Sequence, residues 1–283
     1  MDIRHLRTFI ALCEEGSFTG AATRLRISQP VVSRTIRQLE RYVGRELVDR
    51  SASSVRPTAL GRMVLAHART AVAEFERTLN IGRTAHLPLR LGYVWSAMDE
   101  RILSVVKAWE RKHPDVPIMP RKAGDRLAGL ADGHADVGLV RERPPEPAYA
   151  SRLILREKRY AALSTEHPLA SREVLRLEDL GTETLVINTS SGTVPPTTWP
   201  GEWQPPRTLL VETFEDWVFS VAVNKGVGLT PASTADTSPH PTVTYVPVVD
   251  APEVSLHLAW RSPGSHPALT DFIRYTINAF RDR

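Results

Sequence analysis

Residues 28–43, SQPVVSRTIRQLERYV, decide how the first part of the chain folds. Apolar side chains recur there at steps of four, three and four residues, the spacing of one helix face: Val32, Ile36, Leu39 and Val43. The opposite face is polar and basic and contains no acid: Gln29, Pro30, Ser33, Arg34, Arg37 and Arg41. Ser28 stands where an N-cap is expected, and Pro30 falls in the first turn, where its missing N–H costs little. The pattern predicts an amphipathic helix with a basic outer face.

A shorter helix is predicted just upstream, from about Phe18 to Leu25, followed by a turn through Arg26 and Ile27. Two short helices joined by a tight turn, the second basic on one face, are typical of a helix-turn-helix that binds DNA. The alternative is an ordinary surface helix whose charged face is merely solvated. Arg34, Arg37 and Arg41 stack on one side of the helix, and that face carries no acid, which favours DNA binding.

The flanking sequence completes a DNA-binding head. A first helix is predicted from about Ile3 to Glu15, ended by Gly16, and Gly44 closes the helix of residues 28–43. The stretch RELVDRSASSVRPT, residues 45–58, is short, polar and rich in turn residues, which is typical of a β-hairpin wing. We therefore predict a winged helix-turn-helix over residues 1–57.

Residues 58–84 are predicted to form a linker helix, capped by Thr58 and continuing to about Ile81. Its apolar residues are spaced nearly as a heptad: Leu60, Val64, Ala68, Ala71, Phe75 and Leu79. A helix of this length with such a seam favours dimerisation. The alternative is an amphipathic helix that packs on its own domain.

From Leu89 the chain alternates between predicted strands and helices, which indicates an α/β domain over residues 88–283. Residues 126–135, RLAGLADGHA, are predicted to be helical, whereas residues 190–207 and 235–242 are rich in proline and are predicted to be loops. We find neither an internal repeat nor a low-complexity tract.

The charge is unevenly distributed along the 283 residues. Residues 1–90 contain fifteen arginines, no lysine and eight acids, whereas residues 91–283 contain 21 basic and 24 acidic residues. A basic head on a slightly acidic body indicates that the head meets a polyanion. The single cysteine, Cys13, fits a reducing cytoplasm and continues an apolar helix face, which favours a packed thiol. No apolar run is long enough to cross a membrane, and the first residues lack the apolar core of a signal peptide, so we expect a cytoplasmic protein.

Residues 1–60 closely resemble the LysR-type transcriptional regulators. The matching segments are LRTFIALCEEGSFTGAATRL, then SQPVVSRTIRQLERYVGRELVDR, then RPTALG. The later segments ADGHADVGLV, VAVNKGVGLTP and LAWR are similar to that family in content and order. The resemblance covers the whole chain, closely to about Thr84 and more loosely beyond.

This resemblance implies a two-lobed effector domain with a periplasmic-binding-protein fold. Lobe I would comprise residues 88–160 and 243–283, and lobe II residues 161–240, with crossings near residues 160–163 and 232–242. The protein would be a homodimer or homotetramer that binds promoter DNA and responds to a small molecule held between the lobes. Since the symmetry of the protein imposes symmetry on its operator, we expect the operator to be an inverted repeat. The response would change promoter bending or contact with RNA polymerase.

The resemblance assigns DNA contacts to residues of the basic helix face: Gln29, Pro30, Ser33, Arg34 and Arg37. The chemistry agrees, since glutamine pairs with adenine and arginine with guanine or phosphate, while Ser28 is short enough to reach a phosphate. Two departures concern the wing. Val48 replaces the usual phenylalanine, and the tip of residues 51–54 is SASS, which leaves Arg50 and Arg56 as the basic residues at the base of the wing. With a wing tip that lacks basic residues, we expect the recognition helix to make most of the contacts that specify the DNA sequence.

The effector site is predicted from geometry. Ligands in open α/β sheets lie beyond the carboxyl ends of strands, and helix N-termini favour anions such as carboxylates. These rules select residues that follow predicted strands or begin predicted helices: Trp95, Ser96, Gly124, Arg141, Thr193 and Trp217. Trp199 and Trp203 would either line the same cleft or fix their own loop.

Two other classes of function are weighed. An enzyme is disfavoured because the sequence contains no phosphate-binding glycine loop, nucleophile elbow or zinc motif, and we expect neither cofactor nor metal. An architectural DNA-binding protein, whose C-terminal domain serves assembly only, remains the alternative to a ligand-controlled regulator.

Overall fold

The computed structural model describes residues 1–50, 54–81, 87–95, 97–194, 207–264 and 266–281. The chain divides into two units, one of residues 1–85 with residues 131–134 and one of the remaining residues. The first unit contains α1 Ile3–Glu15, α2 Phe18–Leu25, α3 Gln29–Val43, β1 Val48–Asp49, β2 Arg56–Pro57 and α4 Ala59–Ile81. The predicted bounds of α1 and α2 are confirmed to the residue.

Local capping explains why these short helices begin and end where they do. The Asp2 carboxylate accepts the Arg4 N–H at 2.8 Å at the start of α1, and Gly16 ends that helix with φ +62°. Ser17 accepts the Gly20 N–H at 3.0 Å at the start of α2. Arg26 forms the turn to α3 with φ +54°, a left-handed conformation that is uncommon outside glycine. In the turn of the helix-turn-helix, Arg26 therefore occupies the left-handed position that usually holds glycine.

The core of the first unit lies between α1, α2, α3 and the wing. Val32, Ile36 and Leu39 of α3 are fully buried, as the spacing predicts, whereas Val43, expected on the same face, is 36% exposed at the end of the helix. They pack with residues of the neighbouring elements: Phe9, Leu12, Ala21, Leu47 and Val48. The wing is anchored by β1 and β2, which pair antiparallel with Val48 opposite Pro57. Val48, which replaces the phenylalanine usual in the family, is buried in this core and anchors the wing to it.

The apolar seam of helix α4 is at least partly buried in its first half and exposed in its second half. Leu60 and Val64 pack against the core of the first unit, and Ala68 is buried. Phe75 and Leu79, by contrast, are 41% and 54% exposed. The first half of the seam covers its own head, as the alternative interpretation expects, and only the second half is available to a partner.

The second unit is built on two five-stranded sheets. Its strands are β3 Leu89–Tyr93, β4 Ile118–Lys122, β5 Val137–Val140, β6 Tyr149–Glu157, β7 Arg159–Ser164, β8 Thr184–Asn188, β9 Arg207–Val211, β10 Val227–Pro231, β11 Val243–Val248 and β12 Val254–Arg261. Its helices are α5 Glu100–Lys112, α6 Phe214–Ala222, α7 Ala232–Thr237 and α8 Leu269–Arg281. The first sheet has the order β4-β3-β5-β12-β6, and the second has the order β11-β7-β10-β8-β9.

The sheets are mixed and each has its own core. Strands β4, β3 and β5 are parallel, while β12 runs antiparallel to β5 and β6. Trp109 of α5 and Phe272 of α8 cover one face of the first sheet. In the second sheet β9, β8 and β10 are parallel, and Trp217 of α6 is buried against Val186 and Val221. Among the helices of the described residues, none has both the length and the apolar composition to cross a membrane.

The lobe boundaries differ from the predicted ones. Strand β11 was predicted to belong to lobe I, but it pairs antiparallel with β7 along six residues, from Val243 opposite Ser164 to Val248 opposite Arg159. It therefore lies in the second sheet. The chain passes from the first sheet to the second at Lys158 and returns over residues 249–253. The predicted crossings at 160–163 and 232–242 are displaced because β7 and β11 form one antiparallel pair.

Candidate nucleic-acid interface and ligand cleft

The outer face of α3 presents its polar side chains to solvent. Gln29, Pro30, Arg34 and Arg37 are exposed, and Ser33 is half-buried. Arg37 donates to the Ser33 hydroxyl at 3.1 Å. In the part of the chain that the structure describes, the Gln29 and Arg34 side chains have no hydrogen-bond partner. Both side chains can therefore donate hydrogen bonds to an acceptor outside the head. Ser28, the N-cap residue of α3, makes no side-chain capping bond.

The two arginines at the base of the wing are held differently. The Arg50 guanidinium pairs with the Glu40 carboxylate at 2.7 Å, whereas Arg56 donates to the Ser54 hydroxyl at a marginal 3.4 Å. Residues 51–53, the rest of the serine-rich tip, lie outside the described residues. Arg50 is thus paired within the head, while Arg56 is exposed and makes one weak hydrogen bond among the described residues.

In the second unit, the ends of three strands meet at the junction of the two sheets. This junction is defined by Arg141 after β5, residues 188–194 at the end of β8, and Trp95 after β3. A Cβ added to Gly192 would lie 3.6 Å from the Arg141 Cβ and 3.4 Å from the Glu142 Cγ, so the two loops are in contact. Arg126 spans the same gap by donating to the Thr189 carbonyl at 2.9 Å and to both Glu142 oxygens. The predicted residues Arg141 and Thr193 are therefore brought together.

Arg141 is buried at this junction. Its guanidinium lies 2.5 Å from Glu157, whose other oxygen accepts the Ser233 N–H at 3.2 Å and a bond from Arg101 at 3.1 Å. Burial lowers the pKa of Arg141, and the nearby Glu157 carboxylate opposes that effect. A buried arginine with a carboxylate at this distance remains charged and rigidly placed.

Arg159 is a second buried arginine, and sequence reasoning missed it. It donates to the carbonyl oxygens of Thr193 at 2.6 Å and Pro252 at 2.7 Å, which ties the start of β7 to the loop after β8. Burial, and then the positive charge of Arg141, lower its pKa to about 10. Arg141 and Arg159 thus place two guanidinium groups at the junction, of which Arg141 is paired with Glu157. The sequence signal was a lone arginine, in KRYAALS, that opens a buried strand.

Asn188, the last residue of β8, begins the stretch of residues 188–193 that was expected to face the cleft. Its side-chain oxygen accepts the Ser190 N–H at 2.9 Å, the Ser190 hydroxyl at 2.8 Å and the Ser191 N–H at 3.1 Å. Three donors fix the oxygen end of the amide, so the orientation of the side chain is determined. The Nδ2 end is buried and has no acceptor among the described residues. A buried donor in this state is costly unless a ligand accepts its hydrogen bond.

Aromatic rings from both sheets form another part of the junction. Trp95 stacks on Phe214 at a centroid distance of 4.1 Å and lies 5.4 Å from Trp217. Trp217 is 2% exposed and donates its indole N–H to the Val186 carbonyl at 3.0 Å, which makes it a core residue of the second sheet. Gly124 is exposed, and a Cβ there would meet no atom within 4 Å. Ser96, Trp199 and Trp203 lie outside the described residues.

Two further observations concern metal ligands and the single cysteine. No group of three or more histidine, cysteine or carboxylate side chains in it has the arrangement of a metal site. Burial raises the pKa of the Cys13 thiol to about 11, so the thiol is protonated at neutral pH and is a poor nucleophile. Cys13 is thus a packing residue, as its position on an apolar face predicts.

Comparison with known families covers nearly the whole chain. Residues 3–62 match the family described as "Bacterial regulatory helix-turn-helix protein, lysR family", and residues 83–281 match "LysR substrate binding domain". The two matches correspond to the winged head and to the two-sheet domain.

Individual relatives are regulators as well. The chain is 34% identical over 214 residues to the HTH-type transcriptional regulator AlsR of Bacillus subtilis, a match spanning 71% of this chain and 66% of AlsR. It is 27% identical to the HTH-type transcriptional regulator BenM of Acinetobacter baylyi, over 93% of this chain and 90% of BenM. The crystal structure of CbnR, a LysR family transcriptional regulator, shares the fold with a TM-score of 0.70 at 22% identity, covering 99% of both chains. The chain belongs to the LysR family and is a DNA-binding transcriptional regulator with a C-terminal substrate-binding effector domain.

Proposed function

We propose that this regulator is controlled by a small anionic effector that binds at the junction of the two sheets, and that α3 reads promoter DNA in the major groove. The observation that carries the effector proposal is the buried Nδ2 of Asn188, a donor without an acceptor in the described residues. A carboxylate oxygen placed there would satisfy this donor and remove its desolvation penalty.

The electrostatics of the junction favour the same class of ligand. Arg141 and Arg159 are both buried, and burial, followed by the charge of Arg141, lowers the pKa of Arg159. An anion bound nearby would relieve that repulsion, whereas a cation would add to it. The stacked rings of Trp95 and Phe214 offer an apolar surface for the body of the ligand. We therefore propose a carboxylate carried on a small apolar body.

An Asn188→Asp variant tests this proposal. The substitution keeps an oxygen to accept the three bonds from Ser190 and Ser191 but replaces the donor by an anionic oxygen. The probes are acetate, succinate and benzoate, each paired with its neutral amide. At a hundredfold excess over Kd, a binding carboxylate should raise the melting temperature of the natural protein by roughly 5–10 °C. The Asn188→Asp variant should show no such rise in a thermal-shift assay.

The matched control is Asn278→Asp, the same substitution at an exposed position of α8, which should respond as the natural protein does. Equal stabilisation of Asn188→Asp and the natural protein would show that the anion binds elsewhere. If no compound in a wider metabolite set stabilised the natural protein, the architectural DNA-binding alternative would be favoured. Catalytic turnover that survived deletion of residues 1–84 would instead favour an enzyme.

For DNA, we propose that two or four copies place paired α3 helices in successive major grooves, so that the operator is an inverted repeat. Exposed Gln29 and Arg34 support this docking. The effector would change the relative placement of the heads, and so promoter bending or contact with RNA polymerase.

A double variant of α4 tests the proposed dimer. Phe75 and Leu79 are exposed apolar residues one helical turn apart, and they form the second half of the seam. Aspartates at both positions would bring four like charges together in a dimer, so Phe75→Asp/Leu79→Asp should reduce the oligomeric state in sedimentation velocity. His67→Asp, on an exposed face of the same helix, serves as the control. An unchanged sedimentation coefficient for the double variant would remove α4 from the interface.

A further inference from the structure

The single acidic side chain of the recognition helix, Glu40, makes all its described contacts with the wing. Its Oε1 accepts the N–H of Leu47 at 3.0 Å and that of Val48 at 3.4 Å, and its Oε2 pairs with Arg50 at 2.7 Å. The Glu40 side chain is only 11% exposed. A carboxylate in such a place is held by its hydrogen bonds, and it holds the start of the wing against α3.

Arg50 has a second contact on another helix. Its guanidinium carbon lies 5.9 Å from the ring centroid of Phe18, the first residue of α2. A cation over an aromatic face is attracted by the ring quadrupole. Arg50 therefore contacts Phe18 of α2 and Glu40 of α3 at the same time, so its side chain connects the wing to both helices.

We propose that Glu40 and Arg50 form a clamp that sets the position of the wing relative to the recognition helix, and that Arg50 is a positioning residue and not a DNA contact. Glu40 joins α3 to β1 through two backbone bonds, and Arg50 joins the far end of β1 to α2 and α3. Without the clamp, the wing loses its fixed placement beside α3, and with it the placement of Arg56. The inference rests on the proposed docking of α3 in the major groove, which is tested separately by substitution of Arg34.

The clamp and simple electrostatics predict opposite changes in DNA affinity when Glu40 loses its charge. Removing an acid from a surface that meets a polyanion should strengthen binding, because one repulsive charge is lost. If Glu40 positions the wing, removing its charge should weaken binding. The sign of the change therefore separates a clamp from an incidental acid.

The test uses Glu40→Gln in the full-length protein, with a DNA duplex that the natural protein has selected from a random-sequence library. The amide oxygen can still accept the Leu47 N–H, so the head should keep its fold, which far-UV circular dichroism checks. We expect affinity to fall on the order of tenfold. Arg50→Gln should cause a similar loss, and the double variant should be no weaker than either single variant, because both remove one shared interaction.

Two further readouts separate positioning from contact or general instability. If Arg50 touched a phosphate, Arg50→Gln would lower the salt dependence of binding by about one unit of slope and Glu40→Gln would not; a clamp gives equal slopes. In hydroxyl-radical footprints, both variants should lose protection on the wing side and keep it beneath α3. Arg45→Gln removes an exposed cation just beyond α3 and is the control.

Binding by Glu40→Gln that equals or exceeds that of the natural protein would overturn the proposal. If Glu40→Gln does not fold at the assay temperature, Arg50→Gln is read instead, since it leaves both backbone bonds of Glu40 in place. Loss of protection along the whole wing side then supports the clamp, and loss at a single phosphate refutes it. If α3 docks elsewhere, Arg34→Ala keeps its footprint, which distinguishes that failure from failure of the clamp.

Discussion

An Arg34→Ala variant should lose sequence-specific binding to its operator while keeping its oligomeric state. Arg34 is exposed on the outer face of α3 and has no side-chain partner among the described residues. A bidentate arginine–guanine contact contributes about 1–3 kcal/mol of discrimination. A two-fold symmetric dimer presents it twice, so about 2–6 kcal/mol, or roughly 30-fold to 10⁴-fold in affinity, should be lost. Fluorescence anisotropy with the selected duplex measures the loss, and sedimentation velocity checks the assembly.

The control for this prediction is Arg45→Ala, which removes an exposed arginine just beyond the end of α3. It should retain specific binding, because Arg45 lies outside the face that would enter the groove. Binding of both variants to an unrelated duplex reports the non-specific component, which Arg34→Ala should weaken far less than specific binding, because it removes only one of several cations that attract the phosphates. A footprint of Arg34→Ala identical to that of the natural protein would show that α3 does not dock as proposed.

The head was predictable because its signals are local. The ends of α1 and α2 depend on Asp2, Gly16 and Ser17, whose capping bonds join residues two to four positions apart. The buried face of α3 follows directly from the spacing of Val32, Ile36 and Leu39. Where a helix end or a face depends on neighbouring residues, sequence alone contains the information.

Prediction failed where the backbone takes conformations that the composition does not reveal. Residues 126–135 were predicted to be helical but form a series of turns. Ala128, Gly129 and Gly133 have φ values of +54°, +77° and +69°, which an α-helix does not allow. The Asp125 carboxylate favours these turns by accepting the N–H groups of Leu127 and Gly129 at 2.8 and 2.9 Å. The reverse error occurred at Ala232–Thr237, where a short helix replaces part of a predicted proline-rich loop.

The same limit applies to the sites. Arg141 was predicted because it follows a strand, which is a local signal. Glu40 and Arg159 were not predicted, since their roles depend on partners brought together by the fold. Arg159 bonds to Pro252, 93 residues away, and no spacing rule anticipates that contact. Sequence therefore predicted which loops form the junction but not which buried polar atoms they leave there.

Gly92→Ala should strongly destabilise the second unit. A Cβ at residue 92 would lie 1.8 Å from the Ala128 carbonyl oxygen and 2.8 Å from the Ala135 Cβ. The nearest obstacle is backbone, and Ala128 is held at φ +54° by the turns that follow β4, so it cannot simply rotate away. Overpacking of this kind costs about 3 kcal/mol or more. The melting temperature should fall by about 6–12 °C, measured by circular dichroism or calorimetry.

Gly124→Ala is the matched control, because a Cβ at residue 124 meets no atom within 4 Å. There the methyl group restricts the unfolded chain without a clash, so the melting temperature should stay the same or rise slightly. Neither glycine has a positive φ, and the comparison therefore isolates steric overlap from backbone strain. Equal melting temperatures for the two variants would mean that β3 and the turn at Ala128 are not packed as closely as described. A loss confined to Gly92→Ala would establish that the turns of residues 125–130 rest directly on β3, the strand that leads to Trp95 at the junction.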